Sequence, residues 1–420
     1  MSAPQAVFNI VKNIVGEGML SLPAGVAAGT GLGLSLVFVT LFGLLLAYTF
    51  SVMGRACHVT KQRTHKGCGE VLSGPVLAQT MAVVCMFKTA FTCLAYSIVI
   101  GESCSRILHF FGLRDPFWTS RQTTLITIMT CILLPLVLQR DLSILSYTSL
   151  VGIAGEVFVV SVMQARYSDG SYTPEGQFYY NITKDRSECK FFPSAPFFPD
   201  AAARVLLGSV STAFIAHYNG PKFYSQLRRA NPKRFSIVVA TGFFISWMIY
   251  AWVMCVGYLT FGNACEGLIL NNYSEEDSWA TAARVAIGFA VLFGFPLAFT
   301  SLRDNTISAL GLDDEKRSVF CSVTFALLVP ITSAGCFLED LGLVNSLGGA
   351  IFGASITLIF PGALAYLASR NKRLEAKEFG KTEGRLALLV IASGFVLLVF
   401  GSIVNVIKKC FPELLHKGSS

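Results

Sequence analysis

Charge is what this chain has least of. Only 14% of its 420 residues are Asp, Glu, Lys or Arg, whereas 53% are hydrophobic and mean hydropathy is +0.59. Ordinary soluble domains carry about a quarter charged residues, so a water-soluble fold is excluded and no stretch is left over to build one. The apolar stretches hold no metal-ligating His/Cys cluster, no paired catalytic carboxylates and no Ser/His arrangement. These absences remove the usual enzyme readings: the expectation is no enzyme, no catalytic residue, no metal and no cofactor beyond a coupling ion. Lys and Arg are missing altogether from 262–278 and 337–340. The net charge of +8 is therefore unevenly placed, which points to membrane topology and away from nucleic acid.

What the chain does have is apolar stretches of the roughly 20 residues that a helix needs to cross a bilayer. They predict an all-α integral membrane protein of about eleven spans, near 7–30, 33–54, 74–110, 121–138, 143–163, 202–220, 235–261, 279–301, 318–336, 341–369 and 386–407. The first stretch lacks a basic leader and a small-residue cleavage site, so it is expected to be a retained helix. With a cytoplasmic N-terminus, the inner loops 55–73, 139–142, 221–234, 302–317 and 370–385 hold 4, 1, 5, 3 and 6 Lys or Arg, which is 19 of 33. That bias supports this orientation and puts the C-terminus outside or in a lumen. Two sequons, at Asn181 and Asn272, then fall on the outer side and are candidate glycosylation sites. Cys189 and Cys265 sit in the same outer loops and are a candidate disulfide pair, the alternative being two free thiols.

Two spans contain helix breakers. The first carries Gly16-Glu17-Gly18-Met19-Leu20-Ser21-Leu22-Pro23, and the sixth ends in His217-Tyr218-Asn219-Gly220-Pro221. Breaks at matching positions in two five-helix halves point to a transporter built from inverted repeats, here 7–163 and 202–369 with 386–407 as an extra helix in one domain of residues 1–420. Unwound backbone is tolerated in a membrane only where it lines a cavity or binds something. A zwitterion supplies both kinds of partner. Its carboxylate suits the N–H groups at Gly16, Glu17, Gly18, Met19 and Leu20, and its ammonium suits carbonyls around Ser211, Thr212 and Phe214. Gly16 and Gly18 let backbone approach such a ligand without a Cβ, although glycines also serve simply to pack membrane helices.

The stretch from Asn13 to Pro23 resembles the first-helix signature of the amino acid/auxin permease family. Phe214-Ile215-Ala216-His217 with Tyr224, Leu227 and Arg228 is similar to its sixth-helix pattern, Gly257-Tyr258-Leu259-Thr260-Phe261-Gly262 to the end of its seventh, and Phe295-Pro296 with Arg303 to its eighth. The resemblance implies a relative of the LeuT fold that moves free amino acids with H⁺ or Na⁺ and works as a monomer in the lipid bilayer, at the plasma membrane or in a vacuole or lysosome. Sodium-coupled members place a threonine hydroxyl two residues before the helix 8 proline, where this chain has Gly294. Asn13 is similar to the family's helix 1 asparagine and Thr300 offers a hydroxyl on the same helix as Gly294, but protons are the preferred ion.

Ionisable groups within spans are functional candidates. Glu17 at the first break is expected to load and release a proton, with recognition of a cationic substrate or a structural partner such as Lys88 as alternatives. His217 is a second candidate for proton transfer, its alternative being a tie between helices. Lys12 is expected to snorkel to the inner surface, its alternative being a gating contact, and Glu102 and Arg106 are expected to pair with each other one turn apart, the alternative being a role in transport. A competing reading of the whole chain is an amino acid sensor that binds without net flux. The N-terminal segment ahead of the first span, only about six residues, leaves little room for a partner-binding tail and favours transport.

Overall fold

The computed structural model describes residues 1–113, 115–139, 145–179, 189–192, 206, 210, 213–313, 316–371 and 379–410, and among these it contains helices and turns and no strand. The helices are α1 (Ala3–Ile14), α2 (Leu22–Ala27), α3 (Leu32–Thr60), α4 (His65–Ser73), α5 (Pro75–Phe110), α6 (Arg121–Val137) and α7 (Leu145–Ser168) in the first half. After a helix that ends at Ala213 come α8 (Gly220–Gln226), α9 (Pro232–Phe261), α10 (Ser278–Leu310), α11 (Arg317–Phe337), α12 (Leu341–Gly348), α13 (Phe360–Arg370) and α14 (Lys381–Cys410). Among the described residues, seven helices are long and apolar enough to cross a membrane, so the chain is a multi-pass helical membrane protein. The first expected span is two short helices, as its glycines and proline predict, and the fourth is a 17-residue helix carrying a π-turn at Met129–Leu133.

The expected inner loops gather at one end of the bundle. The Met1 ammonium donates to the carbonyl of Gln226, Lys66 Nζ to that of Ser308, and Arg55 pairs with Glu383. At the opposite end, Leu32 N donates to Lys190 O and Arg121 Nη2 to Leu338 O. These are called the inner and outer ends below.

Local chemistry accounts for where the helices start and stop. Ser2 caps α1 in a reciprocal arrangement with Gln5, Asn231 caps α9 ahead of Pro232, and Asp277 caps α10 through Trp279 N and Ala280 N; such caps satisfy amides that have no partner within a helix. Helix α1 stops because Val15 turns extended and Gly16 follows at φ −165°.

Helix α9 holds the broken first span together along its length. A Cβ on Gly242 would lie 2.8 Å from Ile10 Cγ2 in α1, and one on Gly257 would lie 2.6 Å from Pro23 Cγ in α2. Two helical turns from each glycine stands Tyr250, fully buried, whose hydroxyl lies 2.5 Å from the carbonyl oxygen of Ile14 and 2.7 Å from that of Ala213. Both are last-turn carbonyls that a broken helix leaves without an intrahelical donor.

Tyr250→Phe is expected to destabilise the protein by about 1–3 kcal/mol, the penalty for a buried acceptor left unpaired. A thermal melt in nanodiscs should show a midpoint lower by several degrees, and an unchanged melt would remove the hydroxyl from this role.

Candidate functional site

The two breaks face each other. A Cβ on Gly18 would lie 3.0 Å from Ala213 Cα, so the glycine is what lets the two unwound segments touch. On the first segment, a 3₁₀ turn runs from Glu17 to Ser21 and merges into α2. Its leading amides are those that a helix leaves without internal partners. On the second, the last helical bond runs from Phe214 N to Val210 O, residues 215–216 are irregular, and a 3₁₀ turn at His217–Asn219 leads into α8.

Between the breaks lies a small pocket of about 20 Å³, lined by Gly16, Gly18, Lys88, Thr92, Ala213 and Ile215 among others. Towards the inner end lies a vestibule of about 300 Å³, whose wall includes Asn9, Lys12, Lys222, Gln226, Gly294 and Ser301. Asn13, Tyr96 and Tyr218 line both spaces and so form the partition between them. The Tyr96 ring fits a slot between two glycines: a Cβ on Gly16 would lie 3.5 Å from its hydroxyl, and one on Gly294 3.4 Å from the ring and hydroxyl. That gives Gly294 a steric reason.

The expected site residues divide. Gly16 and Gly18 face the pocket, while the side chains of Met19 and Leu20 are fully buried in the core. The backbone of Glu17 opens the 3₁₀ turn, and its side chain lies outside the described residues, as do Ser211, Thr212 and the sequon asparagine Asn181. Phe214 contributes its ring to the core, edge-on to Tyr250 and stacked on Phe243, and the pocket takes Ala213 and Ile215 from this segment instead.

Asn13 is bonded wholly to the second break. Its Oδ1 accepts from Asn219 Nδ2 at 2.8 Å and from the Tyr218 hydroxyl at 3.2 Å, and its Nδ2 donates to Ala216 O at 3.2 Å. Thr300 donates to Pro296 O in its own helix, and it is Ser301, next along, that reaches the vestibule. His217 touches neither space. Its Nε2 donates to Leu46 O at 3.2 Å and lies 3.0 Å from Thr49 Oγ1, both on α3.

Two expectations need correction. Lys12 does not snorkel; its Nζ lies 2.7 Å from Glu156 Oε1 on α7, because the nearest anion is across the bundle and not at the surface. Glu102 and Arg106 do not pair with each other, since each finds a partner on another element: Glu102 pairs with Arg121 at 2.8 Å and Arg106 with Glu275 at 3.3 Å. Cys189 and Cys265 lie over the same turn at the outer end of α9, their sulfurs directed at the adjacent carbonyls of Tyr258 and Gly257. Asn272 is buried, with Nδ2 donating to Ala264 O and Oδ1 accepting from Glu266 N, so its amide is engaged within the loop.

Sequence reasoning missed Tyr96, Tyr218, Asn219 and Ser301. The last three lie within a few residues of a recognised breaker or proline; Tyr96, in the middle of an unbroken span, carried no such signal.

A model of the family described as transmembrane amino acid transporter protein matches residues 1–408. The putative sodium-coupled neutral amino acid transporter 11 of Mus musculus is 25% identical over 98% of this chain and 89% of that protein. The amino acid transporter AVT6E of Arabidopsis thaliana is 25% identical over 96% and 82%, and the sodium-coupled neutral amino acid transporter 7 of Homo sapiens 24% identical over 89% and 80%. In fold, the chain is similar to the crystal structure of MhsT in complex with L-phenylalanine, with a TM-score of 0.58 at 12% identity, covering 96% of this chain and 97% of that one.

Two outcomes test this geometry. Gly18→Leu, whose Cβ alone would press on the Ala213 backbone, should remove ligand binding; wild-type binding would displace the pocket from the breaks. His65, on the inner-loop helix α4, donates Nε2 to His217 O, and burial pushes its pKa down to about 4. An unfolded histidine titrates near 6.5, so between about 4 and 6.5 the unfolded chain binds more protons and stability rises with pH. Melts across that window should steepen with the wild type and flatten with His65→Gln.

Proposed function

Because the chain belongs to the transmembrane amino acid transporter family, we propose that it is a secondary active amino acid transporter working by alternating access, with the substrate held between the two broken helices and protons as coupling ion. The observation that carries this reading is the contact of Gly18 with Ala213 beside the pocket, which brings two unwound segments of opposite backbone polarity to one place. One offers leading amides to a carboxylate and the other carbonyls to an ammonium. The eleven-span, five-plus-five plan fits the matching position of the breaks in the two halves. The vestibule opens toward the end where the basic loops gather, which under the positive-inside rule supports an inward-facing but occluded conformation, in which the inner half of the first span has still to move away.

The choice of proton over sodium rests on three residues. Gly294 offers no hydroxyl and faces the Tyr96 ring, Asn13 is already bonded to Ala216, Tyr218 and Asn219, and Thr300 is turned to its own helix. None is left as a ready ligand for Na⁺, whose coupling is named in two of the relatives above. Glu17, on the turn that opens the site, is the proposed proton carrier.

Uptake of a panel of radiolabelled amino acids into proteoliposomes, with an imposed pH gradient and with or without sodium, tests the reading. Accumulation that collapses with a protonophore and ignores sodium is expected, and Glu17→Gln should remove its pH dependence while leaving exchange of substrate. Binding without flux for every amino acid would favour a sensor, and accumulation driven by sodium alone would reverse the assignment of the ion.

A further inference from the structure

The ion pair between Lys12 and Glu156 is the most deeply placed charge pair at the inner end. Glu156 is 1% exposed and Lys12 11%, and the two are 2.7 Å apart. They belong to different elements, α1 and α7, and Lys12 also forms part of the vestibule wall. The contact has a seat built for it. One helical turn before Glu156 stands Gly152, where a Cβ would lie 2.7 Å from Lys12 Nζ and 2.8 Å from its Cε, so the lysine stem lies in the groove that the missing side chain leaves.

A charge pair this well buried is a poor source of net stability, because desolvation offsets most of the attraction. Losing one partner is nevertheless strongly unfavourable, since it strands a charge in an apolar medium. Such a contact has two well-separated states, made and broken, with little between. The same helix α7 carries a second, similar contact about 15 Å further along. There Arg166 donates through Nε and Nη2 to both oxygens of the buried Asp277, at 2.8 and 2.6 Å, and so joins α7 to the start of α10 at the outer end.

We propose that Lys12, Glu156 and Gly152 form an inner latch, in which the pair clamps the inner half of the broken first span against α7 and must part for that half to swing away. Lys12 and Glu156 are positioning residues: they set how often α1 leaves α7. The proposal rests on the transporter reading for its purpose, and its test does not depend on flux.

Hydrogen exchange of the full-length protein in nanodiscs, followed by mass spectrometry, reads the latch directly. In Lys12→Met, amides of Ala3–Ile14 should exchange about tenfold faster or more, while those of the outer segment Gly262–Asn272 stay unchanged or slow. Gly152→Ala, which evicts Lys12 and leaves both charges in place, should act in the same direction and serves if Lys12→Met does not fold. Exchange of Ala3–Ile14 unchanged in both variants would overturn the latch. Faster exchange at both ends together, with a lower melting midpoint, would also overturn it and leave the pair as a general structural contact. Either result is independent of uptake, so failure of the latch and failure of the transport reading are distinguishable.

Discussion

An interrupted helix inside hydrocarbon leaves carbonyls that water cannot reach, and the structure depends on how those are satisfied. Here the task falls to the Tyr250 hydroxyl, placed between the ends of two broken helices that come from opposite halves of the chain. Around it, α9 receives Ile10 over Gly242 and Pro23 over Gly257, so one continuous helix serves as a splint for a discontinuous one. The pocket exists because this arrangement lets two stretches of bare backbone stand side by side without collapsing onto lipid.

The polar groups near the pocket are mostly spent on holding the breaks in register. Asn13 ties the first break to the second, and His217 ties the second to α3, while its own carbonyl receives the ring of His65 from α4. Residues that look on paper like ion ligands or proton carriers are thus structural struts in this conformation. The polar side chains on the pocket wall are bonded among themselves as well: Lys88 donates to Thr92, Thr92 to the Lys88 carbonyl, and the Tyr218 hydroxyl to Asn13.

Much of this was legible in the sequence because helix breakers act locally. Gly16, Gly18, Pro23, Gly220 and Pro221 mark the two breaks wherever the rest of the chain goes, and apolar length alone marks the long helices. Pairings were not legible. Glu102 and Arg106 have ideal spacing for each other, yet each lies closer to an opposite charge brought by another element, Arg121 and Glu275, once the helices pack. Lys12 and Glu156 are separated by most of the first half and meet only because Gly152 leaves a groove. Phe214 illustrates the remaining gap: a sequence position beside a break does not say whether the ring or the backbone faces the pocket, and here the ring joins the core.

The Tyr250 hydroxyl has a single proton and two acceptors within reach. It can donate to Ile14 O or to Ala213 O, and passing between them needs only rotation about the C–O bond. The hydroxyl thus fixes where the two halves meet without dictating the angle between them, which is left to the packing of α1 and α2 on α9.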